Sequence, residues 1–149
     1  FHTFTLTDVP QGSYTAFGFN IGLDSNENHG DPNRWPLDHP LNPVKNSLLW
    51  DWAGGYIFTA IEGQLADGTD NFVFHLAGDQ FKTAYEIPVN YTKGEEAASI
   101  HLEYMLDEIF QNPETYSLEK DGLSTHTIDN PITAKLVGNM GVQIKAYTN

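Results

Sequence analysis

Short runs in which apolar and polar residues alternate recur along the chain between Gly, Asn and Pro punctuation. This is the period-two pattern of strands with one buried face. The alternation is rich in Phe, Tyr, Thr, Val and Ile, and it predicts strands at Thr3–Thr7, Ser13–Leu23, Gly55–Glu62, Asn71–Leu76, Phe81–Val89, Ala98–Leu102 and Gly141–Tyr147. Helical spacing appears twice. Leu102–Phe110 puts Leu102, Met105, Leu106, Ile109 and Phe110 on one face and ends before Asn112-Pro113. Pro131–Val137 offers a proline for a first helical position and Gly138 as a stop. Many short strands with one or two short helices predict a mostly β protein, an antiparallel β-sandwich or barrel-like domain with long loops, as a single domain over residues 1–149.

One stretch departs from the pattern. Asp24–Asn42, "DSNENHGDPNRWPLDHPLN", runs on to Asn46 with almost nothing apolar to bury. That is roughly twice the length of an ordinary connection, and such long loops are functional or disordered. The expectation is a site or a flap.

Composition narrows the chemistry such a loop can carry. Seven Lys and Arg against 20 Asp and Glu give a formal charge of -13, which repels phosphate backbones and excludes nucleic acid as a partner. The absence of Cys removes disulfides, thiolate metal sites and Cys nucleophiles together. Any metal therefore sits on His, carboxylate, carbonyl or a modified side chain. No apolar run has the length of a transmembrane segment, and the chain opens at Phe1 without Met, so the expectation is a soluble, processed protein.

A catalytic role finds little support. None of the nucleophile-elbow, phosphate-loop, dinucleotide or metalloprotease signatures is present, and Ser124 near His126 is explained by a turn, so the chain is read as a non-enzyme. Calcium has more in its favour. Asp24, Asn26 and Asn28 alternate like the first ligands of a calcium loop, with Asp31 a further hard oxygen donor, but His29 and Trp35 stand where that loop needs Gly and Glu. The histidines offer another chemistry. His29 lies in the polar loop, and alternation through "NFVFHLAG" puts Phe72 and Phe74 on one strand face with Val73 and His75 on the other. Imidazoles from one strand and one loop suit copper. In "LLWDWAGGYIF", Trp50, Trp52 and Tyr56 read as core packing ahead of a sugar-stacking platform.

The order "GSYTAFGFNIGLDSNENH", "HPLNPVKNSLLWDWAGGYIF" with "IEG", "FVFHLAG" and a late "AKLVGNMGVQIKAY" resembles the MbnP-like family. That family includes, more distantly, the copper-repressible surface proteins MopE and CorA of methane-oxidising bacteria. The resemblance implies a β-rich, secreted, periplasmic or outer-membrane surface-associated protein that binds copper for its acquisition. It also implies a site of two histidines and one tryptophan oxidised to kynurenine by a MauG-type dihaem peroxidase. Carried onto this chain, the ligands are His29, His75 and Trp35 as kynurenine, with His39 in reserve and Trp50 or Trp52 as structural residues. Calcium on Asp24, Asn26, Asn28 and Asp31 would be a second cofactor. The alternative class is a calcium-stabilised extracellular β-sandwich that binds a glycan or a protein through exposed aromatics.

Overall fold

A computed structural model describes residues 3–51, 53–95, 99–125, 131–141 and 144–148. The alternating runs form antiparallel pairs. Strand β1 (Gly12–Ile21) pairs with β5 (Thr83–Lys93), and cross-strand partners Phe19 and Tyr85 stack at 5.3 Å between ring centroids. The register shifts between Tyr14 and Ala16, where the facing strand carries Pro88. A proline has no N–H for the ladder, so a bulge is the natural place for it.

The second sheet carries the candidate loop. Its order is β2 (Leu49–Asp51), β3 (Gly55–Gln64), β4 (Asn71–Ala77) and β7 (Ser124–Thr125). The β3–β4 hairpin turns on Asp67-Gly68: the Asp67 carboxylate accepts the Thr69 N–H, and Gly68 takes a φ of 72° that side chains disfavour. A third pair joins β6 (Ile100–Tyr104) to β8 (Ile144–Thr148). The fold is mostly β, as the alternation predicts, its strand pairs are antiparallel apart from the parallel β4–β7 pair, and among the described residues the sheets do not close into a barrel.

Among the described residues four short α-helices accompany the strands: α1 (Ser25–Asn28), α2 (Pro43–Asn46), α3 (Leu118–Asp121) and α4 (Pro131–Met140). The core is built where α4 and a 3-10 turn at Leu106–Phe110 cover β4, and Phe74, Leu76, Ile109, Tyr116, Leu136 and Met140 are its buried members. Burial of that order is the main stabilising term of such a fold.

Two expected elements are absent. Residues 3–7 form no strand, with Phe4 and Leu6 at 88% and 67% exposure. Alternation alone does not make a strand where no ladder partner is supplied. The helix expected over Leu102–Phe110 is instead the end of β6 followed by the 3-10 turn. Of its supposed apolar face, Leu102 and Leu106 are exposed and Ile109 is fully buried. Pairing with β8, 40 residues on, overrides the local spacing. Helix α4 forms as expected but continues through Gly138 to Met140, where Asn139 donates to the Ile109 and Glu114 carbonyls and Met140 joins the core. His126, Trp52 and Ala98 lie outside the described residues, as do residues 142 and 143 of the last expected strand.

Candidate metal centre

The long loop is ordered, and its asparagines order it. Asn28, at the end of α1, is 1% exposed: its Oδ1 accepts the Tyr56 N–H at 2.7 Å and its Nδ2 donates to Asp79 at 2.6 Å. Asn42 caps α2 by accepting the Val44 N–H, and its Nδ2 donates to the Trp35 carbonyl at 2.8 Å. Both are buried polar groups with their hydrogen bonds made, the condition under which burial is tolerated. Tyr56 joins the two halves, since its hydroxyl donates to the Leu41 carbonyl at 2.6 Å. Burial pushes the Tyr56 phenol up, against a smaller opposing pull from Arg34.

His29 follows Asn28 directly. Its Nε2 lies 3.0 Å from Asp79 Oδ1, in the 3-10 turn Asp79–Phe81 that follows β4. Hydrogen bonds from Ser25 and then Asn28, and to a lesser extent the His29 charge, hold the Asp79 carboxyl below its ordinary value. The same turn grips the start of α1, where Lys82 pairs with Asp24 at 2.5 Å.

His75 lies on β4 opposite Ala60, on the face away from Phe74 and Leu76, as the alternation predicts. Its Nε2 is 2.6 Å from Glu62 Oε1, and Trp50 of β2 meets its ring edge-on at 6.1 Å. Glu62 pairs with Val73 across the hairpin and so shares the His75 face. Strand β4 and the turn after it thus carry His75 and the partner of His29.

Trp35 is half-buried rather than turned outward. His39 stacks on it at 4.0 Å with rings 9° from parallel, and the Arg34 guanidinium lies 4.4 Å from the ring centre. Among the described residues the buried Trp35 Nε1 has no hydrogen-bond partner. His39 is fixed by its Nδ1, which accepts the Leu41 N–H at 3.1 Å.

The expected donors therefore stand as three pairs: His29 with Asp79, His75 with Glu62, and Trp35 with His39. Among the described residues no three His, Asp or Glu side chains converge as a ready-made cage. The residues expected for calcium have divergent commitments. Asp24 pairs with Lys82, Asn28 accepts from Tyr56, and Asp31 accepts the Asn33 N–H at 2.9 Å.

The donor chemistry fits copper. Imidazole nitrogen ranks high for first-row ions at the copper end of the affinity order, and a carboxylate on the second ring nitrogen is the usual support of a ligating histidine. The unpartnered Trp35 Nε1 is the atom that opening of the indole ring would convert into an amine donor.

Asp79, Glu62 and Tyr56 take positions that the sequence does not assign to the site, and Asn28, expected as a calcium donor, is instead the buried link between Tyr56 and Asp79. Glu62 was within reach of sequence reasoning once the Asp67-Gly68 turn set the hairpin register. Asp79 was not, since its partner is about 50 residues away along the chain.

Comparison with known proteins adds one finding. A family model described as MbnP matches residues 2–128, which include the whole loop and β1 to β7 and stop before α4 and β8. No curated protein and no solved structure matches the chain.

Proposed function

Because this chain belongs to the MbnP family, we propose that it is a copper-binding protein, acting by holding the ion rather than by catalysis, with His29 and His75 as its imidazole donors. The observation that supports this reading is the pairing of each histidine with its own carboxylate, Asp79 and Glu62, on β4, its hairpin partner and the turn that follows. Carboxylates in that place fix ring orientation and raise ligand basicity. Copper, once bound, supplies a soft acceptor for nitrogen ligands. The chain's part is to bring those nitrogens forward, and each imidazole ligates through its neutral form.

The finer reading is that Trp35 becomes kynurenine and adds a third nitrogen, with His39 as the reserve ligand. Its unpartnered Nε1 supports this, as does the cage of Arg34 and His39 that would hold the opened ring. Trp50 is the competing position because its ring packs on His75. A MauG-type dihaem peroxidase would install the change in a secreted, periplasmic or surface-associated protein that serves copper acquisition. No helix among the described residues is long and apolar enough to cross a membrane.

The glycan-binding alternative is weakened because Tyr56, part of its stacking platform, is 2% exposed. Elemental analysis and a peptide map of protein from its native host test the proposal. Stoichiometric copper, with one oxygen gained and one carbon lost in the Trp35 peptide, is the expected result. Calcium without copper would refute it, and the same mass change on the Trp50 peptide would move the modified residue.

A further inference from the structure

We infer that Asp79 is a positioning residue for the metal: it takes the Nε2 hydrogen of His29 and so leaves Nδ1 as the atom that meets copper. This rests on the copper reading of His29. The Asn28 amide cannot be turned round, because its Oδ1 already receives the Tyr56 N–H at 2.7 Å from a buried position. Its Nδ2 is therefore the end facing Asp79, and it donates to Oδ1 at 2.6 Å. His29 Nε2 approaches the same oxygen at 3.0 Å and stands 3.4 Å from the Asn28 nitrogen.

A lone pair on Nε2 would face a carboxylate lone pair at 3.0 Å, and the second hydrogen of the Asn28 amide, whose first is directed at Asp79, meets it only across 3.4 Å. A hydrogen on Nε2 makes a charge-assisted bond instead. A neutral imidazole carries one ring hydrogen, so the lone pair lies on Nδ1. Among the described residues the His29 contacts run through Nε2, and the side chain is 39% exposed, which leaves Nδ1 accessible.

Asp79 is itself set in place from two directions. Gly78 precedes it with a φ of 111°, a value that side chains rarely adopt, and three residues on Lys82 pairs with Asp24 at the opposite end of α1. The turn therefore closes on both ends of the helix that presents His29.

Long-range proton–nitrogen NMR of the full chain, with Cu(I) added anaerobically as the probe, tests this. Metal-free protein should show His29 with hydrogen on Nε2. Cu(I) should shift Nδ1 while Nε2 keeps its hydrogen. Asp79→Asn, with a thermal melt confirming that it folds, should show mixed His29 tautomers and bind Cu(I) about 10-fold to 100-fold more weakly. Loss of the Nε2 hydrogen on Cu(I) binding overturns the inference, as does a folded Asp79→Asn that binds like the parent. If Asp79→Asn does not fold, the ring assignment in the parent decides alone. His29→Ala separates the two levels: weakened Cu(I) binding there beside normal binding in Asp79→Asn overturns the positioning role only, whereas unchanged binding in His29→Ala overturns the copper reading with it.

Discussion

Replacing Asn28 by Ala removes the side chain that fastens the loop to the second sheet, and the cost can be worked from its two hydrogen bonds. The Tyr56 N–H, which donates to the amide oxygen at 2.7 Å in a buried position, would lose that acceptor, a loss of about 2 kcal/mol. The donor to Asp79 at 2.6 Å is a bond to a charged group, but Asp79 is 39% exposed and water replaces part of it, so about 1 kcal/mol is the fitting allowance. The expected destabilisation is thus about 3 kcal/mol. Urea unfolding followed by tryptophan fluorescence should show the midpoint lowered by roughly 1.5 M at an unchanged slope of about 2 kcal/mol/M. A midpoint within about 0.3 M of the parent would refute the reasoning, because it would mean that the buried N–H finds another acceptor at no cost. Tyr56→Phe is the companion variant. It loses only the bond to the Leu41 carbonyl, worth about 1 kcal/mol, and should loosen the Trp35 and His39 half of the loop more than the His29 half.

Three further outcomes follow from the same contacts. Gly55→Ala should destabilise by about 2 kcal/mol or more in the same assay, since Gly55 has a φ of 75° and an added Cβ would collide with the Asn28 side chain. The depressed Asp79 carboxyl stabilises the fold above the ordinary aspartate value of about 3.9 and loses that contribution as pH falls through its lower folded value. Thermal melts against pH should therefore show a steeper acid loss in the parent than in Asp79→Asn, and parallel curves would contradict the assignment. Leu136→Ala should cost about 2–5 kcal/mol in urea unfolding, because Leu136 is fully buried. A small effect would show that α4, beyond the family match, is dispensable to the core.

The β3–β4 hairpin was legible in the sequence because its signals agree: alternation on both strands, an Asp-Gly turn between them, and apolar residues at every second position of β4. The same logic gave the His75 face correctly. It failed where a local pattern had to be completed by a distant partner. Leu102–Phe110 has helical spacing, yet Ile100–Tyr104 finds β8 and leaves Leu102 on the solvent side. Thr3–Thr7 alternates and finds no strand beside it.

The loop was legible as a candidate site but not as a mechanism. Its asparagines read equally well as turn residues or calcium donors, and only the placing of β3 against α1 shows Asn28 committed to Tyr56 and Asp79. Residue type and family resemblance point to His29, His75 and Trp35. The carboxylate partners of the two histidines became visible only with the register and the turn after β4.

The copper proposal stands on His29 and His75. Competition of the purified protein with a chromophoric Cu(I) chelator, run on the parent, His29→Ala, His75→Ala and His101→Ala, tests it most directly. His101 is the control because it lies on the exposed side of β6 in the other part of the fold. His29→Ala and His75→Ala should each lose at least about 10-fold in affinity, on the order of 1.4 kcal/mol, while His101→Ala matches the parent. Equal copper affinity in all four proteins would contradict it.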